Sequence, residues 1–65
     1  MRIEVNGTER EVTAPTLHAA LAELGWSDAR VATALNGAFV PKGVRGETLL
    51  KEGDRLEVLA PMQGG

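Results

Sequence analysis

The dipeptide Asn-Gly occurs twice, at Asn6-Gly7 and Asn36-Gly37, each time between short runs rich in apolar residues. Asn and Gly both tolerate a positive φ, which a type I′ turn demands at its two central positions. Each pair is therefore a strong signal for a β-hairpin with a two-residue loop. Before the first pair, Met1, Ile3 and Val5 alternate with Arg2 and Glu4, the period of a strand with one buried face. Thr8 to Val12 is the returning strand, and its charges turn it toward solvent. Around the second pair, Val31 to Leu35 leads in, Ala38-Phe39-Val40 returns, and Pro41 closes the segment. Two hairpins in 65 residues leave room for little else.

Between them lies one helix. Pro15 stops the second strand and Thr16 is the expected N-cap. Leu17, Ala20, Leu21 and Leu24 fall at i, i+3, i+4 and i+7, a single apolar stripe. Gly25 supplies the left-handed position after the helix, and Trp26 is placed to fold back on Leu21 in a Schellman ending. Lys42 to Leu50 has no clear period and reads as a loop with one helical turn. Lys51 to Asp54 is a turn, after which Leu56, Val58 and Ala60 alternate with Arg55, Glu57 and Leu59 as far as Pro61. A helix with one apolar stripe must cover one face of one sheet. The order implies an α+β fold of the β-grasp kind, a mixed sheet of about five strands under one main helix, with the first and last strands adjacent and parallel. Residues 1–61 are expected to form the domain and residues 62–65 a flexible C-terminal tail.

Composition removes most other classes. A chain this short buries about 60% of the surface it exposes when unfolded, so it owns one small core and little room for a pocket. Cys is absent, which removes disulfides, thiolate metal sites and a cysteine nucleophile together. His18 is the only histidine, so a multi-histidine zinc site is excluded. Seven basic residues against nine acidic give a net charge of −2, the wrong sign for binding nucleic acid. With no Tyr, one Phe and one Trp there is no platform for stacking bases. No apolar run approaches the roughly 18 residues of a membrane span. Met1-Arg2-Ile3-Glu4 begins with alternating charge and no apolar signal, so a cytoplasmic location is expected.

The body of the domain offers no catalytic set. His18 sits beside the helical stripe with no nucleophile or orienting carboxylate spaced to support it, and reads as a surface histidine. Glu9, Glu11, Glu52, Asp54 and Glu57 read as solubilising charge. Gly43 and Gly46 lack the Lys-Ser/Thr ending of a phosphate loop. Gly64-Gly65 is different, because a segment without side chains can extend into a narrow channel and bring a backbone carboxylate to another enzyme's reactive atoms. A terminal carboxyl group has a pKa near 3.5, so at neutral pH it is ionised and a poor electrophile until activated, for example as a mixed anhydride with AMP. Leu59 points away from Leu56 and Val58 by strand alternation, and Pro61 and Met62 lie beside it. These three form the expected docking surface.

Several of these segments together resemble a known family. Asn36-Gly37 leading to Val40-Pro41-Lys42, the run Gly53-Asp54-Arg55-Leu56-Glu57-Val58 and the closing Gly64-Gly65 resemble the ThiS-type sulfur carriers of thiamine biosynthesis, over essentially the whole chain. Many such carriers have a third glycine where this chain has Gln63. The resemblance implies a carrier, not an enzyme, with no cofactor of its own. A ThiF-type adenylyltransferase would use ATP and magnesium to adenylate Gly65. Sulfur from a cysteine desulfurase would then give a thiocarboxylate, and a ThiG-type thiazole synthase would take that sulfur into the thiazole ring. Gly64 and Gly65 would be the residues recognised in the tail. The alternatives are a MoaD-type carrier serving molybdopterin synthesis, and a ubiquitin-like modifier or binding domain.

Overall fold

The computed structural model describes residues 1–26 and 30–60. The elements run β1 (Arg2–Val5), β2 (Thr8–Glu11), α1 (Leu17–Glu23), β3 (Ala32–Leu35), β4 (Ala38–Val40), a 3₁₀ helix (Lys42–Glu47) and β5 (Arg55–Leu59). Both Asn-Gly pairs form tight turns. Asn6 and Asn36 have φ of 49° and 51°, Gly7 and Gly37 of 85° and 86°. The flanking pairs Val5–Thr8 and Leu35–Ala38 close two-residue loops of identical length.

The sheet order is β2-β1-β5-β3-β4. β1 and β5 are parallel, and the other pairings are antiparallel. The last strand is therefore the central one, and the expected β-grasp topology is observed. Alternation sends Ile3, Val5, Leu56 and Val58 inward, where they meet Leu17, Ala20 and Leu21 of α1. Val12, Val40 and Leu50 complete the buried cluster. Thr16 caps the helix by accepting from the Ala19 amide at 3.2 Å. At its other end the Trp26 amide donates to the Leu21 carbonyl at 2.8 Å and the Gly25 amide to the Ala22 carbonyl at 3.1 Å. This is the Schellman pattern, with Trp26 half-buried against the core.

The structure departs from the sequence expectation at two charged residues. Asp54, expected as solubilising charge, is only 3% exposed. Its Oδ2 accepts from the Lys51 amide at 2.8 Å and its Oδ1 from Asn36 Nδ2 at 3.0 Å. These bonds tie the turn before β5 to the turn between β3 and β4, so the carboxylate is a structural acceptor. Arg45 is the second, 6% exposed within the segment expected as a loop. Its Nε donates to Thr33 Oγ1 at 3.0 Å and its Nη2 to the Val31 carbonyl at 2.6 Å. The Thr33 hydroxyl donates onward to the Val40 carbonyl at 2.9 Å. That anchor explains why Lys42–Glu47 is a 3₁₀ helix of six residues, longer than such helices usually run.

Candidate functional site

The residues expected to act are those on and after β5. Leu59 is the last residue of that strand and Ala60 follows it, also exposed. Pro61, Met62, Gly64 and Gly65 lie outside the described residues. The site that can be built from the structure is therefore the strand that leads to them and the surface around its end.

β5 is held from both sides by the asparagines of the two turns. On the β1 side, Asn6 Oδ1 accepts from the Val58 amide at 2.8 Å, and Asn6 Nδ2 donates to the Val58 carbonyl at 3.1 Å. A side-chain amide thus continues the pairing past the end of β1. On the β3 side, Asn36 Oδ1 accepts from the Arg55 amide at 2.9 Å, and the Asn36 amide donates to the Arg55 carbonyl at 2.7 Å. Buried backbone groups left unpaired are costly, so these contacts fix β5 over its length. The strand's direction, and with it the direction in which the chain leaves the sheet, is set by the fold.

The outer face of the sheet is divided. Over β1 and β2 it is charged, with Arg2, Glu4, Glu9 and Glu11 forming surface ion pairs at 3.3 to 3.9 Å among themselves, with the amino terminus and with Arg55. Over β3, β4 and the end of β5 its large exposed side chains are apolar, with Glu57, opposite Ala34, at their charged edge. Leu59 is 72% exposed and sits opposite Ala32. Phe39 is 68% exposed and sits opposite Ala34. Ala32 and Ala34 share one face of β3, so small side chains floor the space between two large exposed ones. Leu59 is where strand alternation placed it. Phe39 was missed as a surface residue, although its position one step from the inward Val40 carries the same signal.

His18 is exposed on α1, and no group of three or more metal-ligating side chains occurs among the described residues. None of the described helices is long and apolar enough to cross a membrane.

The fold and this surface define a class: a β-grasp domain whose central strand carries the chain out beside an exposed apolar patch. The profile of the ThiS family matches residues 3–65, and the chain belongs to that family of small sulfur carriers. The crystal structure of the thiamine biosynthesis protein ThiS from Geobacter metallireducens superposes with a TM-score of 0.84 at 30% identity, over the whole of both chains. The solution structure of a thiamine biosynthesis protein from the same organism gives a TM-score of 0.79 at 29% identity, over all of this chain and 88% of that one. A curated relative from Paramagnetospirillum magneticum, a thiazole synthase, is 38% identical over 66 residues. That match takes in all of this chain but only 20% of the relative, so the chain spans about a fifth of that protein's length.

Proposed function

We propose that the chain carries sulfur for thiazole formation as a thiocarboxylate on Gly65. The observation that supports this most is the family match reaching through Gly64-Gly65. In the first step a Gly65 carboxylate oxygen attacks the α-phosphorus of ATP, held with magnesium by a ThiF-type adenylyltransferase, and pyrophosphate leaves. A persulfide supplied by a cysteine desulfurase then attacks the acyl carbon and AMP leaves. Cleavage of the resulting S–S bond by a thiol, which supplies the two electrons, leaves the thiocarboxylate. The chain has no cysteine, so its terminal carboxyl group is the natural place to mount sulfur. It acts as a co-substrate, and residues 62–65 serve as a tail that enters each partner in turn, with Leu59, Pro61 and Met62 as the docking surface at its root.

The name of the relative that contains a match to this chain favours a thiazole synthase as the acceptor over a molybdopterin enzyme. The test is intact-mass spectrometry after incubation with the adenylyltransferase, ATP, magnesium and a sulfur source. The expected product is heavier by one oxygen-to-sulfur exchange at Gly65, and the same spectrum reads whether the chain ends there. Lysine-linked conjugates in cell extract, with no thiocarboxylate, would instead assign it as a modifier.

A further inference from the structure

At the end of β5 the surface opens into a cleft of about 440 Å³. Its lining combines apolar residues, Val31, Ala32, Leu59 and Ala60, with three cationic ones, Arg30, Lys42 and Arg45. All of the charge is positive, on a chain whose net charge is −2. Among the described residues none of these three cations has a carboxylate within ion-pair distance. Arg45 matters most, because it is more than nine-tenths buried. Two of its nitrogens are spent on Thr33 and Val31, while Nη1 has no hydrogen-bond partner among the described residues. Burying a guanidinium is costly, and neutral oxygens offset only part of that cost. No buried side-chain nitrogen or oxygen among the described residues lacks a partner, so Nη1 faces solvent, and an anion in the cleft would take the place of water there.

We propose that this cleft is the seat for a carboxylate side chain on the protein partner that takes up the C-terminal segment. The proposal rests on the carrier reading above. Ala60 lines the cleft and lies five residues before Gly65, at most about 17 Å of extended chain, so a protein that encloses Gly65 has this surface within reach. A free inorganic anion would gain one fixed donor and two mobile surface cations, and would leave the apolar lining wet. An acidic residue set in apolar surface matches both kinds of lining: its carboxylate is drawn to the cations and its surroundings cover Leu59. Arg guanidinium is the donor suited to a buried carboxylate. Charged pairs at such a rim also steer encounter, which makes binding sensitive to salt.

The experiment measures affinity of the full chain for the adenylyltransferase encoded in the same genome, at about 50 and about 500 mM salt, where screening lengths differ several-fold. Lys42→Glu and Arg30→Glu are compared with Arg10→Glu, the same charge change on the far edge strand β2. Lys42→Glu is expected to weaken binding by about tenfold or more at low salt, with the deficit shrinking at high salt, while Arg10→Glu changes it by about twofold or less. Arg45→Met tests the buried partner where it folds, and the two surface variants carry the test if it does not. Equal effects of Lys42→Glu and Arg10→Glu overturn the proposal and leave the carrier reading standing. So does a fall in melting temperature with unchanged affinity, which would assign the cations to a counter-ion within the chain. Failure of the unaltered chain to bind or to gain sulfur overturns the carrier reading and this proposal with it.

Discussion

Asn36 donates from Nδ2 to Asp54 Oδ1 at 3.0 Å across 18 residues of chain, while the other carboxylate oxygen takes the Lys51 amide at 2.8 Å. The same asparagine side chain accepts from the Arg55 amide at 2.9 Å. One side chain and one carboxylate thus join the β3–β4 turn to the start of β5. Asp54→Ala should leave the part-buried Lys51 amide and the Asn36 NH₂ without their acceptor, costing about 1–3 kcal/mol in denaturant unfolding. Asp54→Asn keeps one acceptor but turns an NH₂ toward a donor, so its loss should be smaller. A variant as stable as the parent would mean water replaces both bonds.

Asn6 has two roles that one substitution separates. Gly can adopt its φ of 49°, so Asn6→Gly keeps the turn while removing both bonds to Val58. The expected loss is about 1–2 kcal/mol. Amide hydrogen exchange should locate it, with the Val58 N–H losing protection more than the N–H groups of β2.

Glu23 supplies the pH dependence. Its carboxylate accepts from the Thr13 amide at 3.1 Å through either oxygen, from the Ala14 amide at 3.0 Å and from the Thr13 hydroxyl at 3.2 Å. The Thr13 amide above all, then the Ala14 amide and the hydroxyl, hold the carboxyl below its usual range, although desolvation opposes them. A carboxyl lowered on folding stabilises the fold above its unfolded pKa, and that contribution is lost as pH falls through the folded one. Glu23→Gln should therefore melt at a lower temperature than the parent at about pH 7, with the gap closing as the pH falls below the ordinary glutamate range. A gap that persists in acid would show that the packing of residue 23, not its charge, matters.

The regular elements were legible because their signals are local. The two Asn-Gly pairs fix both hairpins, and the stripe from Leu17 to Leu24 fixes the helix and its buried side. What was hidden depends on partners far along the chain. Asn6 announces a turn, but nothing near it announces a bond to Val58, 52 residues later. Asp54 and Arg45 carry charges that ordinarily mark surface. Only their distant partners, Asn36 for one and Thr33 with Val31 for the other, make burial tolerable. The 3₁₀ helix has no apolar period because Arg45, not a hydrophobic stripe, anchors it. For the site, alternation along β5 was enough for Leu59. Phe39 needed the pairing of β4 with β3 to be seen as its neighbour on the same patch.

Leu59 and Phe39 make a matched pair of surface probes. Both are about two-thirds or more exposed, so Leu59→Asp and Phe39→Asp remove little burial and should leave the melting temperature nearly unchanged. Each should weaken binding to the adenylyltransferase by about tenfold, the scale of a contact residue near the centre of an interface. Unchanged affinity for both would place the docking surface elsewhere.

Deleting Gly65 tests the chemistry itself. Among the described residues the ten members of the buried cluster lie between Ile3 and Val58, and the chain truncated at Gly64 is expected to keep that core and its melting curve. The carboxylate, however, retreats by about 3.5 Å along an extended chain. In-line attack on a phosphorus atom is sensitive to far less, since a misplacement of about 1 Å can cost about a hundredfold in rate. Pyrophosphate release and thiocarboxylate formation should both fall below detection for the truncated chain. Gly65→Ala leaves the carboxylate in place but brings a Cβ into a channel expected to fit none, so its rate should fall without vanishing. Equal sulfur transfer to the intact and truncated chains would mean that sulfur is mounted somewhere other than on Gly65.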